Sequence, residues 1–316
     1  MDQTTLIINR VLPIFLLIGL GYWIRRSRFL TENTVEDLRK IVVNLAMPSV
    51  LFISFLQIEL QTAYLVVFVM IFVLCVGLYG LGHLLKGWLR IEHPYFPFLM
   101  TGFEYGMLGV SLFGGAYGLE QIGYIAVVDL GHELFIWFVF LALLLMKRDG
   151  LQNPGQLVRT FFTSPVIIAV ISGIVLNLLG AQAFLDEAPV AGALMSTVRF
   201  LSSLTIPLIL IIVGYGIKFD RQGMRETLLV AGVRLALLIP LALILNAVVI
   251  RGLLKLESPF EAALFTLLVL PPPFIVPLYM KAGMPEERQY VNNTLMVHTV
   301  FSLAVFTLYF ISNPVL

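Results

Sequence analysis

Long apolar runs alternate with short polar stretches along the whole chain. The runs fall at about 6–24, 38–58, 63–85, 95–117, 121–146, 163–185, 195–217, 227–250, 260–281 and 290–312, here segments one to ten. Each approaches the ~20 apolar residues with which a helix crosses a bilayer. None alternates apolar and polar residues at period two, which excludes a membrane β-barrel. Lipid satisfies no backbone hydrogen bond, so helices are predicted throughout. The first run is too long for a signal-peptide core and follows Asp2, so it reads as the first span. The predicted fold is an all-α polytopic membrane protein of about ten transmembrane helices.

Composition supports this class. Of 316 residues, 59% are hydrophobic and 12% charged, against roughly 25% charged in soluble domains. A net charge of +1 leaves no footprint for nucleic acid. The single cysteine, Cys75, cannot form an intrachain disulfide and reads as a small buried hydrophobe. Fifteen of the 20 Lys and Arg fall in one set of alternate loops or at their edges, including Arg25, Arg26, Arg39, Lys147, Lys218 and Arg288. That side is expected to be cytoplasmic, with both termini facing away from it.

A hydrophilic stretch from Lys147 to Thr160 divides the chain five segments from each end. The halves resemble one another in order. Leu12-Pro13 to Gly21 matches Ser164-Pro165 to Gly173, and Lys40 to Pro48 matches Arg199 to Pro207. Thr101 and Gly118 match Thr266 and Gly283; Tyr124, His132, Phe135 and Phe140 match Tyr290, His298, Phe301 and Phe306. Five segments per half is an odd number, so the second half would insert upside down, a 5+5 inverted repeat. The expected units are 1–146, a cytoplasmic linker 147–162, and 163–316.

Segments four and nine are broken at equivalent positions. Segment four carries Thr101-Gly102-Phe103-Glu104-Tyr105-Gly106, then Gly109 and Ser111; segment nine carries Pro271-Pro272-Pro273 and Pro277. Consecutive prolines lack N–H groups and clash with the preceding turn. Unwound backbone at membrane depth survives only where protein or a watery cavity covers it, and it then supplies ligand groups. The bland alternative is a proline kink with a glycine packing face. Segments two and seven carry matched breaks at Asn44 to Pro48 and at Ser202-Ser203 to Pro207; Asn44 could bond the loosened turn or touch substrate.

Glu104, Asp129, His132, Glu133, Arg234 and His298 lie about 12–20 Å deep, near the midplane of a ~30 Å core. Buried ionisable groups usually face a pathway or a partner. Asp129, His132 and Glu133 share one helix face. Three carboxylates face one arginine, which suits proton coupling, or a sodium site near Glu104 completed by carbonyls. A structural network in which Arg234 pairs one carboxylate and His132 caps another is the competing reading. Arg199 either snorkels at the outer interface or captures a substrate carboxylate there. Asn292-Asn293 reads as a polar helix entry or a substrate contact. No nucleotide-binding, zinc-protease or serine-hydrolase motif occurs, so neither an enzyme nor a cofactor is expected.

These residues resemble the auxin efflux carrier family, whose bacterial members are malonate- and malate-type organic-acid carriers. The resemblance rests on Leu12-Pro13-Ile14-Phe15 to Gly21-Tyr22, Val43-Asn44-Leu45-Ala46-Met47-Pro48, Ser164-Pro165 to Gly173, Ile206-Pro207-Leu208 to Gly214, and Pro271 to Pro277. It implies a fold like bile acid:sodium symporters, with a scaffold of segments one, two, six and seven. Segments three to five and eight to ten would form the moving transport domain. It also implies homodimers, elevator-like movement and a place in the bacterial inner membrane. One departure stands out: Glu104 takes the position of the family's usual asparagine, and Ser111 that of its proline. A carboxylate there would repel an anionic substrate unless a proton or cation neutralises it. The expectation is a secondary transporter of a small carboxylate coupled to H+ or Na+, with Glu104, Gly106, Gly109, Ser111, Pro271, Pro272, Pro273, Pro277, Asn44 and Arg234 as substrate residues. Glu104, Asp129, His132, Glu133 and His298 would couple the ion. The alternatives are a carrier of an amine or zwitterion, with Glu104 as counter-ion, and a non-transporting membrane sensor.

Overall fold

The computed structural model describes residues 3–149, 155, 159, 161–217, 224–281 and 283–314. Most of the expected linker lies outside the described residues, as do Lys218 and Arg221 in a separate loop. Seven helices are long and apolar enough to cross a membrane: Ile8–Arg26, Glu32–Gln57, Ala63–Trp88, Leu119–Arg148, Pro189–Gly216, Met224–Leu253 and Pro285–Ser312. They correspond to segments one, two, three, five, seven, eight and ten. Segment six is a shorter helix, Pro165–Leu178. The chain is therefore an integral, multi-pass membrane protein.

Segment two begins earlier than its apolar run. The Thr31 hydroxyl accepts from Thr34 N–H at 3.2 Å and caps a helix starting at Glu32. The first turns are polar, so hydrophobicity alone hides them. The expected break at Asn44 is a π-helical turn, Val42–Ala46, inside a continuous helix.

Segments four and nine are truly interrupted, and unequally. Segment four is a short helix, Phe96–Met100, an extended stretch, and a helical stretch through Tyr105–Gly109 and Val110–Tyr117. Segment nine is a helix of 12 residues, Ser258–Val269, then an irregular stretch, then a single 3-10 turn, Val276–Leu278. Four prolines within seven residues leave too few N–H groups for a second half-helix.

Helix packing exchanges between the halves. Segment one packs on segment seven, and segment six on segment two. Gly21 and Gly173, matched in sequence, sit in these two contacts. A Cβ at Gly21 would lie 2.0 Å from the Ile211 carbonyl, and one at Gly173 would lie 2.7 Å from that of Phe52. Segment three packs on five and segment eight on ten, with the segment-nine helix against segment five.

Candidate functional site

The two interruptions meet. Glu104 N–H donates to the Pro271 carbonyl at 2.8 Å. Gly102 has φ +69°, and a Cβ there would lie 2.7 Å from Pro273 Cγ, so only glycine fits the crossing. Broken helices leave carbonyls at one end and N–H groups at the other, and each needs a partner.

Arg234, fully buried on segment eight, serves the carbonyls. Its guanidinium donates to Leu99 O at 2.8 Å, to Gly102 O, and to Leu270 O at 3.5 Å. The charge also lies 5.1 Å from the Phe103 ring centroid. One cation thus closes the C-terminal ends of both Phe96–Met100 and Ser258–Val269, where helix dipoles favour positive charge. Arg234 does not line the cavity below, where it was expected as a substrate residue, and its partners are carbonyls rather than the carboxylate of the competing network reading.

Glu104 serves the N–H groups. One carboxylate oxygen accepts from Met107 N–H at 3.1 Å, capping the Tyr105–Gly109 turn. The other accepts from Phe274 N–H at 2.6 Å, across the crossing. A single side chain ties segment four to segment nine.

His132 fixes the interruption from segment five. Its Nε2 accepts from Phe103 N–H at 2.9 Å, so Nδ1 carries the proton donated to Asp129 at 2.7 Å. Both side chains are buried. Glu133 accepts from Trp137 Nε1 at 2.8 Å. His298 stands behind segment nine. Ser302 donates to Val269 O at 2.6 Å, and His298 Nδ1 donates to Ser302 Oγ at 3.1 Å.

A cavity of about 540 Å³ opens beside the crossing. Of the expected residues, Glu104, Gly106, His132, Glu133, Pro273 and Pro277 line it, with Met47, Phe103, Trp137 and Phe274 as apolar wall. Arg39, Asn292 and Thr299 add polar groups. The remaining expected residues lie elsewhere. Ser111 is buried and donates to Met107 O and Leu108 O at 3.1 and 2.9 Å. Gly109 packs against Leu270, where a Cβ would approach to 2.8 Å. Pro271, Pro272, Asp129 and His298 are buried outside its wall. Asn44 takes the first of its two expected roles: it bonds the loosened turn, donating to Lys40 O at 2.8 Å, and is exposed outside the cavity wall rather than on it as a substrate residue.

A basic vestibule of about 1070 Å³ adjoins this cavity. It is lined by Arg25, Arg26, Arg39 and Arg288 against Glu32 and Glu36, and shares Arg39, Gly216, Asn292 and Met296 with the crossover cavity. A third cavity, of about 620 Å³, holds Glu59, Glu120, Glu257, Arg199 and Lys255. Among the described residues it has no lining residue in common with the crossover cavity. Arg199 pairs with Asp186 at 2.7 Å. Among the described residues no group of three or more His, Cys, Asp or Glu side chains could hold a metal ion.

One more charged cluster joins the loop between segments three and four to the starts of segments eight and ten. His93 Nδ1 is 2.9 Å from Glu287 and Nε2 is 2.9 Å from Glu226, with the ring stacked on Tyr290 at 3.6 Å. Burial opposes its charge, but the two carboxylates outweigh burial and raise its pKa above the usual 6.5. Stability from this cluster is therefore full below the unfolded pKa and is lost as pH rises through the higher folded value. Wild-type protein is expected to lose thermal stability as pH rises above the ordinary histidine value of 6.5. His93→Gln should flatten that slope, as read by unfolding scans across pH; an unchanged slope contradicts the assignment.

Interrupted helices crossing beside buried charges, in a chain of long apolar helices, define the class: a multi-pass membrane transporter. The chain belongs to the membrane transport protein family, the auxin efflux carriers, whose model matches residues 6–310. It is also similar to an uncharacterized transporter of Methanothermobacter thermautotrophicus, 26% identical over 238 residues, covering 71% of this chain and 73% of that protein. Both point to a transporter rather than an enzyme.

Proposed function

We propose that the protein is a proton-coupled secondary transporter of a small organic acid, working by alternating access around the crossover. The observation that carries this reading is the Glu104 carboxylate, held by Met107 and Phe274 N–H inside a cavity that joins the basic vestibule. A proton placed on Glu104 weakens it as an acceptor, so protonation loosens the tie between segments four and nine. It also removes the charge that repels an incoming anion, a repulsion on the order of 4 kcal/mol at 4 Å and an effective dielectric of 20. Coupling then follows from one event.

Proton is preferred to sodium because the Glu104 oxygens face N–H donors, whereas sodium needs oxygen ligands. In this reading all ten segments cross the membrane as two inverted repeats. The exchanged contacts of segments one, two, six and seven support that arrangement, with these four as scaffold. The vestibule arginines support a cytoplasmic position for the basic face. Two carboxylates, Glu104 and Glu133, against one Arg39 in the cavity favour a second reading, a carrier of an amine or zwitterion.

The test is uptake into proteoliposomes under imposed pH, sodium and voltage gradients. A pH gradient alone is expected to drive accumulation of malonate or malate. Accumulation driven only by sodium, or confined to amines, refutes the reading.

A further inference from the structure

We propose that Arg39 is a one-sided anchor for the solute carboxylate. It would hold the carboxylate while the crossover cavity joins the basic vestibule and release it when that side closes. The inference rests on the organic-acid reading above and names the group that supplies the counter-charge.

Arg39 lines both the crossover cavity and the vestibule. Among the described residues it is the only Lys or Arg in the crossover cavity wall. The other anion-favouring groups of the crossing, Met107 N–H and Phe274 N–H, are occupied by Glu104. Arg234, the fully buried cation, is spent on carbonyls. A carboxylate entering from the vestibule therefore meets Arg39 as its cationic partner, with Asn292 beside the same opening.

Arg39 is available for exchange. Its ion pair with Glu36 spans 2.7 Å, but the two side chains are 42% and 52% exposed. Such exposed i,i+3 pairs contribute little and are easily replaced. A solute carboxylate offers the guanidinium a two-pronged partner in a less watery place.

One-sidedness follows from where Arg39 is carried. It belongs to segment two, which packs on segments six and seven. Glu104, Pro273 and Phe274 belong to the crossing itself. Alternating access moves the crossing relative to segment two, so Arg39 cannot follow the solute to the opposite face. The third cavity, with Glu59, Glu120 and Glu257 against Arg199 and Lys255, offers an anion a less favourable field.

The experiment measures initial rates of radiolabelled malonate and malate transport in right-side-out and inside-out membrane vesicles. Arg39→Gln is expected to raise the half-saturation constant at the basic face about tenfold, as for one lost charge-assisted hydrogen bond, and at the other face less than about twofold. Arg39→Lys should keep the asymmetry with a smaller rise, and Glu36→Gln should lower the constant at the basic face by freeing Arg39. Equal rises on both faces overturn the proposal, as does transport by Arg39→Gln with unchanged constants. Wild-type protein that carries neither acid defeats the organic-acid reading and this proposal with it. Acid transport without facial asymmetry defeats the Arg39 proposal alone.

Discussion

Arg234→Met is expected to yield protein that fails to hold its fold, with transport lost as a consequence. Arg234 is fully buried and donates to three carbonyls on two broken helices. Methionine fills much of the same space but donates nothing. Leaving the carbonyls of Leu99, Gly102 and Leu270 unpartnered costs about 1–3 kcal/mol each, so the total is on the order of 3–9 kcal/mol. Marginal proteins have about 5–15 kcal/mol to lose. Arg234→Lys should fall between, since one ammonium keeps the charge but cannot reproduce the planar fork. Thermal unfolding and gel filtration in detergent would check this. A wild-type midpoint for Arg234→Met would show that the carbonyls find other partners.

Glu104→Gln is expected to separate exchange from accumulation. The glutamine oxygen can still accept from Met107 or from Phe274, while its NH2 faces the other N–H donor. The crossing is weakened but remains closed by the Glu104 N–H to Pro271 bond. No proton can be taken up. Wild-type protein carrying one proton per solute accumulates up to about tenfold for each unit of pH gradient. The variant should exchange labelled for unlabelled solute yet accumulate none. Gradient-driven accumulation by Glu104→Gln would move the coupling proton elsewhere, with Glu133 the next carboxylate on the cavity wall.

Much of this architecture was legible in the sequence because lipid enforces simple rules. Apolar length marks a helix, and runs of glycine or proline mark a break. The pairing of Asp129 with His132 could likewise be read from helix spacing. The carbonyl partners of Arg234 were not legible, because counting charges offers an arginine only a carboxylate of the protein or of the substrate. Backbone carbonyls freed by a distant break are invisible to such a count. Arg39 was missed because the first turns of its helix are polar, so it was counted among loop charges. Trp137 was passed over because an aromatic residue in an apolar run carries no signal until a cavity opens beside it. Asn44 bonds the loosened turn as one of its two readings had it, and the π-turn leaves the side chain outside the cavity, where the other reading had placed it. The missing second half of segment nine follows from its prolines, which sequence reasoning recognised as a break without asking whether a helix could resume.

The central claim is that solute binds where the two interrupted helices cross. An electron cryo-microscopy map of the protein in lipid nanodiscs with saturating malonate tests it most directly. The account predicts solute density bounded by Glu104, Trp137, Phe274 and Asn292, with both interruptions in contact. Continuous, separated segments four and nine, or solute seated only in the cavity of Glu59 and Glu257, would contradict it.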